Sequence, residues 1–144
     1  MIFVAVILFL IPVSLKLKDN FEKWKIDASV NHRNEFINVV LAEIPASIFF
    51  VLHCQNWWSL IVVLLMMAFW FWFLFDGFYN LIRRRWRKQC NQTYEHLTWW
   101  YTGTDDQDDA KSDNFLQKLK PWQHKTIKIG GIVLFTTLYI ILCN

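Results

Sequence analysis

Apolar residues in this chain come in long unbroken runs rather than in the alternating or striped patterns of water-soluble elements. The longest run reads WWSLIVVLLMMAFWFWFLFDGFYNLIRRRWRK from Trp57 to Lys88, with no formal charge between Trp57 and Phe75. As a helix rising about 1.5 Å per residue, it is long enough to cross the roughly 30 Å hydrocarbon core of a bilayer. Trp57 and Trp58 suit one headgroup layer as interface anchors. Arg83, Arg84, Arg85, Trp86, Arg87 and Lys88 suit the cytoplasmic one.

Three further runs fit the same reading. Met1 to Leu15 is apolar but short, and its basic residues follow it, in KLKDNFEKWK, instead of preceding it. That order favours a short spanning or half-inserted anchor, kinked at Pro12, over a cleaved signal peptide, which wants a basic start and a small-residue cleavage site. Leu15, Leu17, Phe21, Trp24 and Ala28 then extend it as an interfacial helix, with Lys16, Lys18, Asp19, Glu22 and Lys23 largely opposite. Residues 31–34 (NHRN) offer caps before the next span, 36–54 (FINVVLAEIPASIFFVLHC). Only Gln55 and Asn56 separate Cys54 from Trp57, so the two spans make an antiparallel hairpin with its tip outside. Equal counting from the tip puts Glu43 level with about Ala68, deep in the membrane, and Asp76 level with about Glu35. The last span is 126–143, with Trp122 as its anchor and the pair Gly130 and Gly131 allowing a neighbouring helix to come close.

The expected fold is therefore all-α: one polytopic membrane domain over residues 1–144, with spans at about 1–15, 36–54, 57–82 and 126–143 and interfacial amphipathic helices. Residues 16–34 and 83–125 are cytoplasmic, and both termini lie outside. This is the four-span orientation that keeps every Lys and Arg inside or at the inner headgroup layer, because all fifteen fall within residues 16–33 and 83–128.

Composition sharpens this picture. A hydrophobic share of 55%, with nine Trp and thirteen Phe, exceeds that of a soluble domain. The net charge of +3 abuts the apolar spans and resembles no groove reader, so nucleic acid is not an expected partner. Cys54, Cys90 and Cys143 include no Cys-x-x-Cys and no nearby His pair, so no zinc site is expected. Cys54 and Cys143 both reach the outer face, where a disulfide is open to them, although free, lipid-packed thiols are the first expectation.

Candidate chemistry is sparse. Glu43 stands out because a carboxyl in the middle of a span is costly, and such residues face a bundle interior or mark a pathway. Pro45 beside it would free a backbone carbonyl for the same polar site. Its functional reading is a proton or cation relay. The bland reading is a protonated carboxyl hydrogen-bonded to a neighbouring helix, at Thr136 or Thr137. Asp76 is expected to pair with Arg33 or Arg83 at the inner interface. The run DGFYNLIR departs in spacing and context from the D-G-x-x-A-R signature of CDP-alcohol phosphotransferases. The aspartates of residues 105–113 lack the Gly and third ligand of an EF-hand and read as a solvated cap. The Phe69–Phe75 aromatic block reads as lipid-facing bulk. No catalytic residue, cofactor or metal is expected.

The segment WWYTGTDDQDDAKSDNFLQKLKPWQHKTIKIGGI, residues 99–131, resembles small multi-spanning membrane proteins of tailed bacteriophages. That resemblance implies a phage or prophage origin and a bacterial inner membrane, and it implies no activity. Three functions follow as expectations. The first is a non-enzymatic accessory protein that associates with lipid or another membrane protein. The others are a holin-like pore and a small proton or ion conductor using Glu43. A homo-oligomer is also expected, as a means of burying Glu43.

Overall fold

The computed structural model describes residues 2–25, 38–39, 41–95, 97–100 and 120–143. Regular structure among them is helical: α1 (Ile2–Lys25), α2 (Ile44–Cys54), α3 (Ser59–Gln89) and α4 (Pro121–Cys143). Residues 31–34, Arg33 included, and the acidic run 105–113 lie outside the described residues.

α3 and α4 are each long and apolar enough to cross a membrane. Among the described residues, no other helix is both long and apolar enough. The uncharged part of α1, Ile2 to Leu15, measures about 21 Å at the helical rise, and α2 has only 11 residues.

α1 runs unbroken through Pro12 and on to Lys25, as one 24-residue helix and not as an anchor followed by a separate surface piece. Proline costs one hydrogen bond in a helix interior, and packing along the whole length of α1 outweighs it. Ala5, Phe9, Val13, Leu17 and Asn20 form a continuous buried line, at the three- and four-residue spacing that keeps side chains on one helical face. Of the expected interfacial stripe, Leu17 belongs to this line and Leu15 is exposed, because the face that meets α2 and α3 is set by Ala5 to Val13; Ala28 lies outside the described residues. On the outer side of α1, Asp19 takes a 2.8 Å hydrogen bond from Lys23 and lies 3.7 Å from Lys16.

α2 and α3 form the expected hairpin. Gln55 ends α2 in the left-handed region, at a φ of 54°. Asn56 then organises the turn: its side-chain carbonyl accepts from the Trp58 N–H at 3.0 Å, and its backbone carbonyl accepts from the Ser59 N–H at 3.0 Å. Ala46, Ser47, Phe50, Val51 and Cys54 make the buried face of α2.

α3 touches every other helix, and its longest seam is with the antiparallel α4. Gly131 seats the ring of Phe69, which also stacks on Phe135 at 5.5 Å between centroids. Trp70 donates its indole N–H to the Thr136 hydroxyl at 3.2 Å. The expected close approach thus uses Gly131, while Gly130 faces open space. The Phe69–Phe75 block is half-buried and forms much of this seam, so it is not simply lipid-facing bulk.

At the hairpin end, α2 and α4 run parallel. Tyr139 meets Phe50 edge-on at 5.6 Å and donates its hydroxyl to the Phe50 carbonyl at 3.3 Å. One turn further along, Cys54 and Cys143 are joined as a disulfide, with Cα atoms 4.2 Å apart. The expectation of free thiols is therefore corrected. Helical phase, which depth alone does not give, turns both sulfurs into the same gap.

After α3 the chain doubles back. Leu97 is fully buried, and Trp99 lies against Gly77, thirteen residues before the α3 cap at Cys90. At the helical rise that return covers about 20 Å along α3.

Candidate functional site

Two of the polar features buried in this largely apolar bundle carry candidate chemistry. The first is built where α3, α4 and the returning segment meet. Asp76 pairs with Lys128 of α4 and not with Arg83; the other expected partner, Arg33, lies outside the described residues. Lys128 is buried, and its ammonium lies 4.7 Å from the centroid of the Trp72 ring. Trp72 also meets His124 edge-on at 5.9 Å. Trp99 covers Gly77 and contacts Phe73 and Phe78, at 5.4 and 5.1 Å between centroids. Trp100 lies tilted against Phe73 and receives Lys125 over its face at 5.6 Å. The physical logic is consistent. A cation removed from water needs a counterion, and an aromatic face adds attraction that strengthens as water is excluded. Gly77 matters because a methyl group there would overlap the Trp99 indole.

The second feature is Glu43. Helical hydrogen bonds run through it, from its own N–H to Val39 and from the Ser47 N–H back to its carbonyl, each at 3.0 Å. Pro45 has no N–H to offer the Leu41 carbonyl one turn earlier, and Glu43 stands at the start of α2 without capping it. Its carboxyl is buried, and neither oxygen has a hydrogen-bond partner. Thr136, one of the two expected partners, takes the Trp70 indole instead. The neighbouring Ser47 hydroxyl donates to the Glu43 backbone carbonyl at 2.9 Å and lies 3.4 Å from the Met67 sulfur. Ser47 meets Met67 across the antiparallel hairpin, so one turn further Glu43 lies near the level of Phe71, close to the depth counted from the tip. Burial is complete within one chain, which removes it as a reason for a homo-oligomer.

The remaining sequence candidates divide between the two ends. Trp57 and Trp58 are exposed at the hairpin tip, and Trp122 is exposed near the start of α4. Arg84 and Arg85 are exposed, with Arg84 6.0 Å from the Tyr94 ring centroid. Arg87 donates to the Thr93 carbonyl at 3.4 Å, and Trp86 is half-buried beside it. Arg83 is buried and stacks on Tyr79 at 5.3 Å. The expected Glu43 and Asp76 are thus not brought together. Lys128, Trp72, His124, Trp99 and the buried Asn20 and Asn80 went unnoticed as site residues. Only Lys128 carried a signal, being a lone cation between Ile127 and Ile129. Among the described residues, no three His, Cys, Asp or Glu side chains converge as metal ligands.

Comparison with family models, with curated proteins and with solved structures finds no match to this chain.

Proposed function

We propose that the chain is a non-enzymatic integral membrane protein of four spans, acting by association with lipid or with another membrane protein in a bacterial inner membrane. The observation that carries this reading is the surface that the two longest apolar helices leave uncovered. Only 22% of the most apolar stretch of α3 and 11% of that of α4 is buried within the molecule. The core helix of a soluble protein would be mostly covered, whereas here residues such as Ile61 and Ile141 stand open. Uncovered apolar area of this extent is unfavourable in water and neutral in lipid.

Two independent features support the orientation. The arginine-rich end of α3 belongs on the cytoplasmic side. The Cys54–Cys143 disulfide lies at the opposite end, where an oxidising compartment would preserve it. The resemblance of residues 99–131 supports a phage or prophage origin.

A second reading, a small proton or ion conductor, is favoured by Glu43 alone, as a buried carboxyl without a partner inside a span. A holin-like pore stands as the third. Inducible expression in a bacterium separates the three, with membrane potential and dye entry recorded for the natural chain and for Glu43→Gln. The association reading expects the protein in the carbonate-resistant membrane fraction, with potential and dye exclusion intact for both. Depolarisation lost in Glu43→Gln would establish the conductor. Abrupt dye entry with either chain would establish the pore, and recovery in the soluble fraction would sink the membrane reading.

A further inference from the structure

A cavity of about 400 Å³ lies between α1 and α4, with α3 as its floor. Leu10 forms part of one wall and Ile140 part of the other, and Met66, Trp70 and Leu74 line the floor. Its two hydroxyl groups each make a contact within the bundle, Thr136 accepting from Trp70 and Tyr139 donating to the Phe50 carbonyl. The rest of the lining is apolar, so an occupant meets mainly hydrocarbon. Volumes of roughly 300–1,000 Å³ are those of small-molecule sites, and the shape decides what kind of molecule.

Along α3 the floor runs from Met66 to Leu74, which is about 12 Å at the helical rise. A groove of that length with an apolar lining suits an alkyl chain laid along it.

Charge selects the rest of the ligand. The Leu74 end of the cavity lies two residues from Asp76 and points toward the end of the bundle that carries exposed Arg84, Arg85 and Lys88. The other end points toward Cys143 and the hairpin tip, where residues 50–75 and 129–143 hold no formal charge. We infer that the α1–α4 cavity takes one acyl chain of an anionic phospholipid, inserted from the cytoplasmic leaflet with its head group on the cationic end. This rests on the membrane reading above.

The test uses the full chain in phosphatidylcholine vesicles doped with phosphatidylglycerol that carries a photoactivatable diazirine on its acyl chain. Labelled sites are mapped by peptide mass spectrometry. The expected label on 66–74 and 136–140 exceeds that at the lipid-facing Ile61 and Ile141 by about tenfold, the ratio that a preference of 1.4 kcal/mol gives. Leu74→Trp, and independently Leu10→Trp from the opposite wall, should bring the cavity label down to the level of Ile61 and Ile141 while leaving those two unchanged. Label distributed simply by exposure, or unaffected by either tryptophan, overturns the cavity as a lipid site. Equal labelling by a phosphatidylcholine probe overturns the anionic head group. No label anywhere, Ile61 and Ile141 included, overturns the membrane reading itself.

Discussion

Breaking the Asp76–Lys128 pair from its two sides should cost unequal amounts. The Lys128 side chain is 6% exposed, whereas that of Asp76 is 34% exposed. Asp76→Asn leaves an ammonium with almost no access to water. Uncompensated buried charges cost about 3–5 kcal/mol. The Trp72 face, 4.7 Å away, offsets part of this loss, since a desolvated cation–π contact is worth about 2 kcal/mol. The expected net loss is therefore about 1–3 kcal/mol. Lys128→Met keeps most of the packing of the aliphatic stem and leaves a carboxylate that water reaches. Its loss should be about 1 kcal/mol, as for partly exposed pairs. The double variant, with neither charge, should lie within about 1 kcal/mol of the natural chain, giving a coupling of about 2 kcal/mol. The assay is unfolding by SDS titration from mild detergent micelles, followed by far-UV circular dichroism. Equal losses, a larger loss from Lys128→Met, or strict additivity in the double variant would refute the reasoning, because each outcome means that Lys128 is hydrated.

Four further outcomes are expected. Gly131→Ala forces a methyl group into the Phe69 ring and should destabilise by about 1–3 kcal/mol, while Gly130→Ala, facing open space, should gain up to about 1 kcal/mol from helix propensity; equal effects in the same unfolding assay would contradict the seam. Cys90 is the free thiol and is exposed beyond the arginines, so a membrane-impermeant maleimide should label it only after cells are permeabilised; labelling in intact cells would reverse the orientation. Glu43→Leu removes two unpartnered buried oxygens and should raise stability by about 1–3 kcal/mol, and a loss would mean that the carboxyl has a partner. The Lys23 hydrogen bond, helped by Lys16, holds the Asp19 carboxyl below its ordinary 3.8. A lowered folded-state value means that its contribution is complete above 3.8 and disappears as pH falls below that value. At an exposed helix pair it is only a few tenths of a kcal/mol, and a pH titration of stability for Asp19→Asn against the natural chain measures it.

What the residue order revealed was chiefly one-dimensional. Runs of apolar residues announced α3 and α4, and the two-residue connection at Gln55 and Asn56 required a hairpin. Counting from its tip put Glu43 level with about Ala68, and the Ser47–Met67 contact puts it nearer Phe71. Rotation about the helix axis was not legible in this way. Cys54 and Cys143 were placed at the same end, but only the packing of α2 beside α4 turns both sulfurs inward. Asp76 looked paired with an arginine on its own side of the bundle, whereas the α3–α4 seam presents Lys128 across from it. Pro12 suggested a kink, and the unbroken buried line from Ala5 to Asn20 shows that tertiary contact overrode it. The return of Trp99 to Gly77 was not legible, since a glycine inside an apolar run leaves room for a close approach without naming what approaches.

These parts divide the bundle into two ends held by different forces. Among the described residues the hairpin end has no charged side chain, and a disulfide and the Tyr139–Phe50 contact hold α2 to α4 there. The opposite end is held by the Asp76–Lys128 pair and the aromatic cover of Trp72 and Trp99. Glu43 belongs to neither fastening. It lies on α2, a helix already tied at its far end, and its carboxyl contributes no hydrogen bond to the fold. Buried and unpartnered, it opposes folding, so its presence has no explanation in stability. That is why its two substitutions ask different questions. Glu43→Leu measures what the carboxyl costs the fold, and Glu43→Gln, which keeps shape and polarity but cannot release a proton, measures what the carboxyl does. A chain that grows more stable with Leu and keeps its membrane potential with Gln holds Glu43 for neither folding nor conduction.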